Sequence, residues 1–185
     1  AKSKFHGEQK IKENFEQATI LRPSVVYSVD DNFTTSFMTM LNLLPFFPLY
    51  YNGKTKFIPI HVSEVSDIIL HIIEKNISSE IIECVGSQEY SFKEILQKLL
   101  QLINKNKILI PLPLMIGKIM ARFLEMFPKP LLTLDQLKLL NYNNILSGRY
   151  KSNFDIGLES KLKFEEEVAK YCYMWKDGGE YSKEI

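Results

Sequence analysis

The sequence predicts an α/β chain: the C-terminal part of a doubly wound sheet, followed by a small, mostly helical lobe. Three observations carry that reading. Ala18–Tyr27 is a short apolar run, β-branched at Thr19, Ile20, Val25 and Val26, of the kind buried on both faces inside a parallel sheet. Helix and strand signals alternate as far as Gly86, as in βα units. Beyond Gly86 the periodicity is helical only. The expected segments are 1–30 (helix and strand), 31–90 (mixed α/β returning to the sheet) and 91–185 (helical lobe).

The first helix is expected over Lys2–Gln17, mostly solvated, with Ile11, Phe15 and Ala18 as a narrow apolar stripe. The strand Ala18–Val26 follows almost without a loop. Pro23 cannot donate to a ladder and so belongs where the chain leaves the sheet. Strand ends of this kind are where open α/β sheets build ligand sites. Phe33–Leu44 has helical spacing, with Asp31 or Asn32 placed to cap it and Pro45 and Pro48 to stop it. Asn52-Gly53 marks a turn before a strand at Lys56–Val62. Ser63 is the expected N-cap of a helix through Lys75. Ile81–Val85 reads as a second buried strand, closed by Gly86. Ser91-Phe92-Lys93-Glu94 is a capping box opening a helix whose face is Ile95, Leu96, Leu99, Leu100 and Ile103. Pro111 and Pro113 precede a helix over Leu114–Met126 that Pro128-Lys129-Pro130 ends. Thr133 or Asp135 starts another through Leu140, Phe154–Leu158 is a loop, and Phe164–Trp175 is a last amphipathic helix.

The composition bounds the function. Of 185 residues, 45% are hydrophobic and 12% aromatic, enough for a core. The 23 Lys and Arg balance 22 Asp and Glu, which gives no electrostatic case for nucleic acid. Cys84 and Cys172 offer neither a disulfide framework nor metal spacing, so a reducing compartment is expected. No stretch reaches the roughly 20 apolar residues of a membrane span, and Ala1–Lys12 is too polar for a signal peptide. The expected location is cytoplasmic, peripheral at the inner face of a membrane. The chain opens on Ala1 inside a helical pattern, which suggests a piece of a longer protein. His6, His61 and His71 do not cluster, so no metal site is expected.

Two stretches then carry a resemblance. Ser3-Lys4-Phe5-His6-Gly7-Glu8, followed by Ile20-Leu21-Arg22-Pro23-Ser24-Val25-Val26-Tyr27, resembles the second half of an extended short-chain dehydrogenase/reductase, with its Rossmann-like sheet. Within that family the sequence looks most like the branch containing the NADPH-binding accessory subunit of respiratory complex I and its bacterial relatives. Pro45-Phe46-Phe47-Pro48-Leu49, His61-Val62-Ser63-Glu64-Val65 and Leu131-Leu132-Thr133-Leu134-Asp135-Gln136 match in order and spacing. The resemblance implies that Lys4 is the family's lysine, which binds nicotinamide ribose hydroxyls and assists a tyrosine four residues earlier; that tyrosine would precede Ala1. It implies that Pro23, Ser24, Val25 and Val26 lie against the nicotinamide, and that segment 1–30 is the tail of the dinucleotide-binding domain. Ser28 stands where the family has Gly, Val29 where it has Pro, and Glu64 where many relatives have Asp.

The sequence contains no Gly-x-Gly-x-x-Gly. The resemblance therefore implies NADP or NAD bound by the intact parent, none bound by this fragment, and a fragment inactive by itself. The partners it implies are respiratory-chain or membrane-associated subunits. Two other readings stay open: an oxidoreductase or sugar-nucleotide epimerase/dehydratase using Lys4, and a non-catalytic interaction module. Ile108–Leu140 is either core packing or a docking face, with Met115, Ile116, Ile119, Met120, Phe123, Met126 and Phe127 on its apolar side and Lys118, Arg122 and Lys129 able to snorkel.

Overall fold

A computed structural model describes residues 2–126 and 132–182 of the chain. The helical break at Pro128-Lys129-Pro130, together with Phe127 and Leu131, lies outside the described residues. The opening helix, α1 (Lys2–Asn14), leads into strand β1 (Ile20–Pro23). A second strand, β2 (Val26–Tyr27), follows after a two-residue break, and then helix α2 (Thr34–Leu43). Strands β3 (Phe46–Leu49), β4 (Lys56–Phe57) and β5 (Ile60–His61) precede helix α3 (Val62–Glu74). Next come β6 (Ile81–Cys84), β7 (Tyr90–Ser91), helix α4 (Phe92–Leu102) and β8 (Ile108–Pro111). The chain continues through α5 (Leu114–Leu124), α6 (Leu134–Leu139), β9 (Lys151–Ser152) and α7 (Phe164–Ala169).

The main sheet is parallel, in the order β1-β6-β9, with Ile20 opposite Ile81 and Pro23 opposite Cys84. Two further parallel pairs, β2 with β5 and β3 with β8, and one antiparallel pair, β4 with β7, extend the strands outward. This is a mixed α/β architecture with parallel strands joined by helical crossovers, as the sequence predicts.

The largest apolar cluster joins α2, α4, α7 and the loop strands. Its centre is an aromatic stack in which the Phe37 and Phe92 rings meet edge to face at 5.1 Å. A second cluster packs Ile68 and Ile72 of α3 onto Ile60, Ile82 and Cys84. The third sits under α5 and α6 around Tyr50, Ala121 and Leu137. Burying side chains of this size contributes about 1.5–3 kcal/mol each. Gly86 is fixed by close approach of two backbones: a Cβ there would stand 1.8 Å from the Pro59 carbonyl oxygen.

Several local expectations are corrected. The run Ala18–Val26 is two strands, because the pairing with β6 stops after Pro23, with one last bond from the Ser24 N–H, and Val26 takes a new partner. Both faces of β1 are only partly covered. Lys56–Val62 likewise divides into β4 and β5, which pair in opposite senses. Residues Phe46–Leu49 form a strand despite Pro48, since a two-stranded pair leaves alternate N–H positions unused. Its partner β8, and β9 later, place strands in a stretch that reads as helical only. His61, not Ser63, caps α3, its Nδ1 accepting the Ser63 N–H at 3.3 Å. The last helix stops at Ala169, and a tight turn at Cys172–Trp175 replaces its second half. Asp31 does hold the start of α2, accepting the Phe33 and Thr35 N–H groups at 2.9 and 3.0 Å. The Ser91–Glu94 capping box forms as expected, and Thr133 makes another with Gln136.

Candidate functional site

The site expected at the end of β1 is a switch between two sheets. The Ser24 N–H donates to the Cys84 carbonyl at 2.9 Å, the last link to β6. One residue on, the Val25 carbonyl accepts the Ile60 N–H at 2.9 Å and the chain has joined β5. Pro23 makes the change possible, since it demands no donor partner where the ladder ends. Ser24, 8% exposed, has its hydroxyl fully engaged. Its Oγ donates to the Asn144 carbonyl at 2.9 Å and accepts the Ile58 N–H at 3.3 Å. Asn144 in turn donates its N–H to the Lys56 carbonyl at 2.7 Å. Three chain segments therefore meet at one buried hydroxyl.

Arg22 organises the outer side of the switch. Its Nε and Nη2 donate to the two Glu8 carboxylate oxygens at 3.1 and 2.5 Å, and its Cζ stands 4.6 Å from the Tyr150 ring centroid. Such a forked pair fixes orientation as well as charge. The Arg22 hydrogen bonds hold the Glu8 carboxyl below its ordinary range. Lys4 is exposed and precedes Glu8 by four residues on α1. That spacing puts both on one helix face, a turn apart.

Of the residues expected to line a site, Pro23 and Lys4 are exposed, Val25 and Val26 are half-buried, and Ser24 is buried. Val26 packs into the cluster beneath α3, and Val25 into that of α2 and α4. Ser24 is thus a junction residue, with its hydroxyl hydrogen already placed on Asn144. None of Pro23–Val26 carries a titratable side chain, so the stretch can form a wall but cannot move a proton. Tyr27, the last residue of the motif, is a core ring. It meets His61 and Phe164 edge to face at 5.2 and 5.0 Å, and burial raises its phenol well above the ordinary value.

Glu64 occupies the position expected to hold Asp. Its longer arm reaches Lys161 and Leu162, whose N–H groups donate to Oε1 at 2.7 and 3.0 Å. The other oxygen is buried without a protein partner, beside an open groove of about 400 Å³ that Ser63, Asp67 and Asn153 also line. Ser28, where a Gly is expected, has no left-handed backbone; the described non-glycine residues that do are Tyr51, Asn52, Asn76, Ser79 and Asn104. Among the described residues no group of three His, Cys, Asp or Glu could hold a metal ion. Asn144 and Tyr150 have no signal in sequence, because both act on the switch from more than a hundred residues away. Glu8 is part of the stretch that carries the family resemblance, but its partner is visible only in the fold.

Comparison with solved structures places this architecture. A human epimerase family protein with NADPH matches 84% of the chain and 48% of its own, with a TM-score of 0.62 and 14% identity. A dTDP-glucose 4,6-dehydratase from Streptomyces venezuelae with NAD matches 90% of the chain and 46% of its own, with a TM-score of 0.57 and 14% identity. The chain therefore shares the fold of the roughly half of each of these proteins that it matches. In sequence, the chain is similar to the mitochondrial NADH-ubiquinone oxidoreductase 40 kDa subunit of Neurospora crassa, 25% identical over 174 residues, covering 92% of the chain and 44% of the relative. It is also similar to the mitochondrial NADH dehydrogenase [ubiquinone] 1 alpha subcomplex subunit 9 of Arabidopsis thaliana, 23% identical over 189 residues, 96% of the chain and 47% of the relative. The chain thus spans about half the length of these curated relatives. No family model matches it. Among the described residues no helix is long and apolar enough to cross a membrane.

Proposed function

We propose that the chain is the C-terminal part of an NAD(P)-binding short-chain dehydrogenase/reductase-like protein of the complex I accessory type, with little or no turnover. The observation that carries this reading is the likeness to complex I subunits along nearly the whole chain. The nature of the wall agrees with it. Pro23, Val25 and Val26 offer apolar and backbone surface, and Lys4 offers a cation for ribose hydroxyls. Ser24 does not fit a cofactor contact, because its hydroxyl is spent on Asn144. The residues present suit the nicotinamide end of NADP or NAD. The sequence holds no glycine-rich loop for a pyrophosphate, so this chain alone binds neither cofactor. When held by the whole protein, the cofactor would supply hydride chemistry or serve as a fixed structural element, and the accessory reading favours the latter.

The partners in this reading are respiratory-chain subunits, and the protein sits peripherally at the inner face of a membrane. A second reading, an oxidoreductase or a sugar-nucleotide epimerase/dehydratase, draws on the fold shared with a dTDP-glucose 4,6-dehydratase. Affinity purification of the whole protein tests the two. Recovery with respiratory subunits, together with bound NADPH whose absorbance does not change on adding nucleotide sugars, is the expected result. Substrate-dependent change in nicotinamide absorbance without respiratory partners would overturn the accessory reading in favour of the enzyme.

A further inference from the structure

Helix α5 is built the opposite way round from a core helix. The residues it buries are its smallest: Gly117, where a Cβ would stand 2.3 Å from the Tyr50 ring, and Ala121 one turn later. That pairing lets the helix lie flat on Tyr50, and it turns the long side chains outward. Met115 is 76% exposed, Ile119 67%, and Met126, just past the helix end, 79%. At 100° per residue Met115 and Ile119 fall within about 40° of one another, opposite Gly117. Arg122 lies about 20° and Lys118 about 60° to one side of Met115, and both are exposed.

Charge decides what this face suits. Leu114–Leu124 contains no acidic residue. Two acids lie just beyond the helix: Glu125 keeps its charge while accepting the Leu134 N–H at 2.8 Å, and Asp135 is balanced by Lys138 at 3.0 Å, so two cations on the helix face one uncompensated acid at its end. A flexible, Met-rich apolar strip with two cations set into it matches an anionic lipid surface, where the methylene stems lie in the apolar layer and the charged ends reach the phosphates. With 11 residues the helix lies on a bilayer and cannot span one.

From this geometry we infer that the α5 face docks on a bilayer containing anionic phospholipid. The proposal goes beyond the nucleotide reading and is tested with no nucleotide present. The chain is sedimented with vesicles of phosphatidylcholine alone and of phosphatidylcholine mixed with phosphatidylglycerol. Binding is expected only to the mixed vesicles, weakening as salt rises. Each of Lys118→Gln and Arg122→Gln should lower the partition about fivefold, and Met115→Glu with Ile119→Glu should abolish it. These positions are exposed, and circular dichroism checks that the variants fold. As a second readout, Met115→Cys carrying an environment-sensitive dye should shift to shorter wavelength on the mixed vesicles; Cys84 and Cys172 are buried and stay unlabelled. Binding to neither vesicle, or equal binding to both, overturns the proposal. Self-association that Met115→Glu with Ile119→Glu removes, without vesicle binding, overturns it in favour of a second copy of the chain.

Discussion

The Ser24 hydroxyl donates to the Asn144 carbonyl at 2.9 Å across 120 residues of sequence. That bond and the Ile58 N–H it accepts make the strand-end switch a fixed corner rather than a loop. Ser24→Ala leaves a carbonyl and an N–H without partners in a buried place. The expected loss is about 1–3 kcal/mol, read as a lower urea midpoint with an unchanged slope. Ser24→Thr keeps the hydroxyl and should restore part of it.

The Glu8–Arg22 pair ties α1 to the sheet. Both side chains are partly exposed, so its worth is about 1 kcal/mol or less. The Glu8 carboxyl is held below its ordinary value by Arg22. Its contribution is therefore present above the ordinary carboxylate range and disappears as pH falls through the lowered folded value. Amide exchange in α1 should accelerate over that acid window, and Glu8→Gln should make α1 exchange fast at neutral pH and flatten the pH dependence.

Gly86→Ala should be among the most damaging single changes. Its Cβ would sit 1.8 Å from the Pro59 oxygen, against backbone rather than a movable side chain. A cost above about 3 kcal/mol is expected, seen as loss of soluble protein or a large drop in Tm. Gly7→Ala, which meets nothing within 4 Å, is the control and should be neutral or slightly stabilising.

Burial pushes the Cys84 thiol up to about 11, and burial also raises Cys172. Neither forms much thiolate at mild pH. A thiol reagent at pH 8 should find both unreactive in the native chain and both reactive in denaturant.

What the sequence discloses is mostly local. The Ser91–Glu94 box, the Asp31 cap, the end of β1 at Pro23 and the turn at Gly53 depend on neighbours within a few residues, and each is readable. The pairing of Phe46–Leu49 with Ile108–Pro111 is not, because prolines hide both strands and their register depends on partners sixty residues apart. The candidate site divides the same way. Arg22 and Pro23 announce a strand end. That Ser24 is spent on Asn144, that Tyr150 stacks on Arg22, and that Glu64 reaches Lys161 are products of chain return. His61 displaces Ser63 as the cap because the chain turns helical two residues earlier than the serine suggests.

The central claim is that this chain supplies a cofactor wall without the phosphate site. Calorimetric titration with NADPH tests it, run on the chain alone and on the whole protein of the proposed function, in which a dinucleotide-binding half would precede it. The account predicts no heat of binding from the chain alone, tight binding by the whole protein, and weaker binding there after Lys4→Ala. Micromolar binding by the chain alone would contradict it, and would require a phosphate site within these 185 residues.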